Sequence, residues 1–564
     1  MTRFLSCEVL LAAVLALTGC ASWRGYGHDE GHTSWQRHEF VLDTSSASTL
    51  DFQPPSATRW EFVASDAFTA SPAVFDNTVY IGSLNGTFYA IWASGPAAGT
   101  IRWQYPPVTA PVPPDACGTT VAPLLIASGS GNPSGPGIAS SAAIAEDVAH
   151  HEWAVIFGAP DPNSNQGDGR LWALDAKRGQ CIWKSQVIAP TVGSSKIGYS
   201  SPTISHRRAF VGVSAKNPDN PITIGRVFAI DLATGAVDAA FGAPDFGVVS
   251  SDPPAGGGVW SSPAVAPDGS VVVTTGNSCH ASLPDCSSSL PAVDRTLSMV
   301  KLDRHTGSPI WQAQPVDINW DFDPDWAASP SVARTSCRVL SLAVQKDGWL
   351  HALDVGGMTP SSDPACSYPG HNLKCPAWTF PSVASLPFQD DGHGDNMDTS
   401  FHRLIHPGAL AGDHYYVATG GLDVAANAPN PFTHSRFIVT GRLYKLDVCA
   451  DDAHRIHWIL DKSTLNQAFG SPSVANGVVY VGTLSGDFYA VDAHTDPTHR
   501  AGVICSYPTV PPGPMCAAGN FRDVDVPNVL RHLTLTGQIP GIPAVVKGQV
   551  FVATTAGHLY ALAP

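Results

Sequence analysis

Three carboxylates stand between two tryptophans at Asn319-Trp-Asp321-Phe-Asp323-Pro-Asp325-Trp326. A carboxylate can take a proton from a hydroxyl, and several together can hold a hard cation through oxygen. A solvated acidic loop is not ordinarily bracketed by indole rings, so this is the most specific chemical motif in the chain. Other segments offer complementary parts. Gly256-Gly-Gly-Val-Trp260 presents a flat aromatic face after a run of glycines. Thr274-Thr-Gly-Asn277 supplies a neutral amide oxygen, and Gln345-Lys346-Asp347-Gly348 a cation beside a turn. Beyond Val211-Gly-Val-Ser-Ala215, Asp219 is the nearest carboxylate, with Lys216 before it. Each part also has a plain structural reading: a strand tryptophan, a Gly-Asn turn, a hairpin lysine. The stretch Asp390-Asp-Gly-His-Gly-Asp395-Asn-Met-Asp398 is acidic too, but its spacing fits no calcium loop and it reads as solvated.

The elements that must position these residues are repeats. Ser471-Pro-Ser-Val474, Val478-Val-Tyr-Val-Gly482 and Asp487-Phe-Tyr-Ala-Val491 read as three short strands joined by Asn476-Gly477 and Ser485-Gly486 turns. Nearly the same stretch runs from Ser71 to Ile91. Further copies are marked by Glu152, Ser201-Pro, Ser262-Pro, Ser329-Pro, Tyr415 and Ile542-Pro, which makes eight. A unit of about four short strands cannot bury a core alone. Arranged radially, the units predict an all-β, eight-bladed β-propeller of four-stranded antiparallel blades. The last unit lacks a fourth strand, and the spare strand Arg59-Trp-Glu-Phe-Val63 is expected to supply it and close the ring.

The expected organisation is an export signal over 1–20, a lead-in over 21–58 and the propeller over 59–564. Arg3, the apolar run Val9 to Leu17 and Leu17-Thr-Gly-Cys20 form a lipobox-like signal, which makes Cys20 the expected lipidated residue. Ala21 after it favours the outer membrane of a Gram-negative cell. The expected location is the periplasmic face of that membrane, or the cell surface. Of 12 cysteines, ten remain after Cys7 and Cys20, an even number that suggests disulfides in an exported protein. The pairing of Cys117, Cys181, Cys337 and Cys449 does not follow from spacing. No CxxCH occurs, so no covalent haem is expected, and no CxxC points to structural zinc. A net charge of −16 argues against a nucleic-acid partner.

This pattern resembles the pyrroloquinoline quinone (PQQ) repeat family, and within it the quinoprotein alcohol dehydrogenases of the polyvinyl-alcohol-dehydrogenase-like branch. Trp23…Tyr26-Gly-His-Asp29…Thr33 resembles that family's start. The resemblance implies PQQ stacked on Trp260, with Ca²⁺ or a lanthanide held by Asn277, Asp321, Asp323 and Asp219. It implies Asp321 as the base that takes the alcohol proton while hydride passes to the quinone, and Lys346 as the group that polarises the quinone oxygens. The substrate would be a small or polymeric alcohol, and electrons would leave to a separate acceptor. Two family features are missing: the Glu metal ligand after the Val-Gly-Val-Ser strand, and the adjacent Cys-Cys pair. The alternative is a non-enzymatic propeller lipoprotein that acts as a binding or assembly scaffold at the outer membrane. Repeats and lipobox alone fit either reading.

Overall fold

The computed structural model describes residues 22–109, 115–118, 123–125, 137–162, 168–189, 195–197, 199–215, 224–246, 256–277, 295–314, 326, 328–345, 350–356, 375–380, 407–418, 443–451, 454–460, 470–494, 500–501, 524–525 and 527–564. These residues form eight sheets set in sequence order, as the repeat predicts. Blade 7 shows the unit plainly. Ser473–Ala475, Val478–Gly482, Asp487–Asp492 and Val529–Thr534 run antiparallel. Asn476 and Gly477 turn the first hairpin at φ 41° and 78°, the left-handed conformations a two-residue turn requires. The second strand is buried along its whole length, which is why Val, Tyr and Val follow one another instead of alternating with polar residues. Blade 3 is the least regular: among the described residues its outer edge is reduced to the bridges Ile230↔Val237 and Arg226↔Asp245. One 3-10 turn, Ser46–Thr49, is the only named helical element among the described residues, and no described helix is long and apolar enough to cross a membrane.

The ring closes as predicted. Trp60–Val63 pairs antiparallel with His558–Leu562, so the fourth strand of blade 8 comes from the other end of the chain.

Two repeated devices join the blades. A tryptophan of the outer strand donates its indole N–H to a backbone carbonyl of the next blade. Trp103 reaches Ala176 at 3.0 Å, Trp183 reaches Leu232 at 2.9 Å and Trp458 reaches Ala493 at 3.2 Å. Trp60, Trp311 and Trp378 do the same to Ala93, Val355 and Val448. The glycine of the Thr-Gly or Arg-Gly turn lets the ring lie flat. A Cβ on Gly179 would stand 2.5 Å from the Trp103 ring, and Gly179 has φ 72°. The second device explains the Ser-Pro signature. These serines, with Ser141 of a Ser-Ala pair in blade 2, donate a backbone N–H to the hydroxyl of the corresponding serine in the next blade: Ser71 to Ser141, Ser141 to Ser201, Ser201 to Ser262 and Ser262 to Ser329. Ile542 of blade 8 donates to Ser71 and carries the relay across the closure.

The lead-in is packed into the ring. Trp23 pairs with Val74 of blade 1 in both directions, and Arg24 accepts from Ile144 of blade 2. Glu30, Gly31, Thr33 and Ser34 accept from Val265, Val332, Leu410 and Val474 of blades 4 to 7. His32 bonds Thr203 of blade 3 at 2.8 Å, and the Gln36 side chain donates to Val545 of blade 8 at 3.2 Å. Most of these contacts fall three residues after the Ser-Pro serine, at the far end of each inner strand. One coil of chain therefore winds past all eight blades at one end of the axis. Trp35–Gln36 even adds a parallel strand beside Ser473–Ala475. Trp23, His32, Thr33, Ser34 and Gln36 are buried. Burial pushes the His32 imidazole down to about 4, against the opposing pull of Asp29. Burial also resists ionisation of Asp29, yet hydrogen bonds from His28 and Thr33 hold it below the usual carboxylate range.

Disulfides join Cys117 to Cys181 and Cys337 to Cys449, which settles the pairing that spacing leaves open. The first ties blade 1 to blade 2, and the second ties the turns of blades 5 and 6. The stretches 106–137, 280–294, 356–390 and 500–525 fall largely outside the described residues.

Candidate cofactor site

The inner strand of each blade runs from the serine relay toward the lead-in, so residues just before it lie at the other end of the axis. Trp260 is one of them. It precedes Ala264–Val265 of blade 4 and does not belong to an outer strand, which separates it from the joining tryptophans. Its neighbours from Gly256 to Val259 and from Ser261 to Ala266 are buried, while Trp260 itself is partly exposed. The Tyr199 ring lies 6.5 Å from it at 60°.

Asn277 ends the segment after Val271–Thr274, and this segment returns to the same place. Gly257 donates to the Asn277 carbonyl at 2.9 Å, and Gly276 donates to the Gly258 carbonyl at 2.8 Å. Three backbones converge here because they lack side chains. Gly225 donates to the Gly256 carbonyl at 2.9 Å, and a Cβ added at Gly225 would overlap the Gly257 carbonyl. A Cβ on Gly276 would stand 3.1 Å from the Gly258 oxygen and 3.5 Å from the Trp260 indole nitrogen. Gly256 and Gly257 have φ 92° and 65°, which disfavours any other residue. The result is a glycine floor with Trp260 and Asn277 side by side.

The acidic motif can be followed to its end. Trp326 is fully buried, with its indole donating to Leu297 at 3.0 Å and its backbone N–H to Thr275 at 3.4 Å. Trp326, which follows the acidic motif in the sequence, thus bonds Thr275, two residues before Asn277. Gln345, buried just past the end of a blade 5 strand, lies at the same end of the axis. Asp219, Asp321, Asp323, Lys346 and Cys20 lie outside the described residues. Among the sequence-predicted site residues, the described ones, Trp260 and Asn277, lie on neighbouring segments. Sequence reasoning missed Gly225 and Tyr199: Gly225 opens an ordinary Gly-Arg-Val-Phe repeat strand, and Tyr199 stands in no motif. A separate cavity of about 270 Å³ lies at the lead-in rim, lined by Arg207, Arg208 and Arg304, and is not part of this site.

Residues 28–245 match the family model described as "PQQ_2: Outer membrane protein assembly factor BamB". Solved structures extend the likeness to the whole propeller. The quinohemoprotein alcohol dehydrogenase of Comamonas testosteroni aligns over 98% of this chain and 82% of its own, with 15% identity and a TM-score of 0.60. A europium-containing methanol dehydrogenase aligns over 98% of this chain and 100% of its own, with 16% identity and a TM-score of 0.60. BamB from Moraxella catarrhalis aligns over 89% of this chain and 98% of its own, with 12% identity and a TM-score of 0.43. No curated protein sequence matches the chain. The chain is an eight-bladed β-propeller with the fold of these alcohol and methanol dehydrogenases, and residues 28–245 match the PQQ-repeat model.

Proposed function

We propose that the chain is an exported quinoprotein alcohol dehydrogenase that binds PQQ and Ca²⁺ or a lanthanide at the end of the axis opposite the lead-in. The observation that carries this reading is the convergence of Trp260 and Asn277 on a glycine floor that any Cβ would fill. An indole face suits a flat tricyclic ring, and an amide oxygen suits a hard cation. When bound, the quinone supplies the two-electron acceptor that protein side chains lack. Trp260 would stack on the quinone ring, and Asn277 with Asp321, Asp323 and Asp219 would hold the cation. The Asp321 carboxylate would take the alcohol's hydroxyl proton, and Lys346 would polarise the quinone oxygens. Electrons leave to a separate acceptor, and Cys20 carries the lipid that keeps the protein at the membrane.

The test is calorimetric titration of PQQ into the delipidated protein with Ca²⁺ and then with a lanthanide. Saturable binding that is lost in Trp260→Ala and weakened in Asn277→Ala supports the reading, and an alcohol screen with a dye acceptor then defines the substrate. No binding with any metal would rule it out. The match of residues 28–245 to the BamB-described model favours one second reading, a scaffold lipoprotein at the outer membrane. That protein would bind no quinone and would be recovered with membrane proteins after cross-linking.

A further inference from the structure

We propose that the rim of blade 6 on the lead-in side holds a divalent transition-metal ion, with His414, Asp447 and His457 as ligands. The three residues come from three adjacent strands, His414–Ala418, Leu443–Asp447 and Ile456–Leu460. His414 and Asp447 face each other in register. The next pair of strands slips: Lys445 opposes Trp458 and Leu446 opposes Ile456, which leaves His457 as the extra residue of a β-bulge. A bulge re-aims one side chain, and this one turns His457 onto its two neighbours. The two imidazoles meet edge to face at 4.9 Å and 84°. His457 Nε2 lies 3.7 Å from Asp447 Oδ2, and one ligand atom from each residue lies within 4.8 Å of the others.

The other blades show what the repeat itself needs. In each of several blades an aspartate at this place uses one oxygen to cap the following turn: Asp175 accepts from Lys177, Asp231 from Thr234, Asp303 from Thr306 and Asp492 from His494. Asp447 does so as well, accepting from Cys449 and Ala450 through Oδ1. That bond fixes the carboxylate and leaves Oδ2 on the histidine side, the orienting role that outer groups play at metal sites. The bulge recurs too, and its extra residue is Arg102 in blade 1, Ile182 in blade 2, Ile310 in blade 4 and Leu530 in blade 7. The aspartate and the bulge therefore recur across blades without any histidine at the bulge, and blade 1 keeps the bulge with Trp92 in the aspartate's place. Blade 6 alone among these places two histidines on that frame.

Two imidazoles and one carboxylate favour zinc, cobalt, nickel or copper over calcium. The partial exposure of Asp447 and His457 leaves a position for solvent as a fourth ligand. One opposing charge is near, Lys445, but its Nζ is held by the Ala493 carbonyl of blade 7 at 2.9 Å. The site lies at the other end of the blades from Trp260 and is independent of any quinone.

The experiment uses the full chain, stripped with chelator and free of affinity tags. Zn²⁺ is titrated calorimetrically, and Co²⁺ is followed by its visible d–d absorption. One saturable equivalent is expected, with a Co²⁺ spectrum of low coordination number and a rise in Tm. Either His414→Ala or His457→Ala should weaken that equivalent by about tenfold or more. His494→Ala, at the equivalent rim of blade 7, should leave it intact. Zinc stoichiometry and affinity unchanged in both blade 6 variants, or no saturable binding by the parent, would overturn the proposal. Metal-free thermal melts of the variants that match the parent exclude misfolding as the cause.

Discussion

The two ends of the propeller axis are built on opposite principles. At one end, a single coil of lead-in meets six blades through backbone groups and blades 3 and 8 through the His32 and Gln36 side chains, at nearly the same repeat position. At the other, three glycine-bearing segments of blades 3 and 4 draw together under one tryptophan and one asparagine. The first end is distributed around the ring and serves closure. The second is local, breaks the repeat, and leaves a shaped surface. In this molecule, departure from the repeat marks candidate chemistry, whether at Trp260 or at the histidines of blade 6.

The largest effect should come from breaking the closed end. Gly31→Val would place a Cβ 2.2 Å from the Val332 carbonyl, a backbone atom that cannot step aside. We expect a loss of about 3 kcal/mol or more and a low soluble yield, read by urea unfolding. Asn277→Ala, at the opposite end, should cost under about 1 kcal/mol in the same assay. Equal losses from the two would erase the contrast.

Acid should also act on the closed end. Burial lowers the folded pKa of His32 to about 4 from the usual imidazole value of about 6.5, so its contribution is complete above about 6.5 and is lost as pH falls toward 4. The linked loss amounts to roughly 3 kcal/mol at most, at about 1.36 kcal/mol per pKa unit. Unfolding measured at pH 7 and at pH 4.5 should show a smaller drop for His32→Gln than for the parent. An identical drop would mean that His32 is not held neutral.

A smaller effect is expected at the seams. Trp103→Phe removes the bond to the Ala176 carbonyl while keeping most of the ring against Gly179, and should cost about 1–2 kcal/mol. The smallest effect on stability should be that of Trp260→Ala, whose side chain closes no seam, although it should abolish quinone binding. A Trp260→Ala protein that unfolds as readily as Gly31→Val would show that the tryptophan is core and not floor.

The ring itself was legible in the sequence because its signals are chemical. Ser-Pro marks the relay, Asn-Gly the hairpins, and Trp60–Val63 stood as a strand without a sheet. Trp260 and Asn277 were legible because each sits off the repeat. The course of the lead-in was hidden, since its contacts are mostly backbone N–H to carbonyl and select few residues beyond Gly31, His32 and Gln36. The disulfide partners are separated by 64 and 112 residues, which spacing cannot pair. His414, Asp447 and His457 escaped for a related reason: a bulge brings them together, and a bulge has no sequence signature here.

The coil that meets all eight blades also sets an order in time. Trp23 and Gln36 precede every strand they touch, and Gln36 bonds to Val545, 509 residues later. A chain emerging from synthesis would complete the pairing of its first segment only once the last blade existed. Folding dominated by such distant pairing is slow and leaves strand edges uncovered meanwhile. This protein should therefore depend on chaperones late in its production, and one missing blade should stall the whole ring.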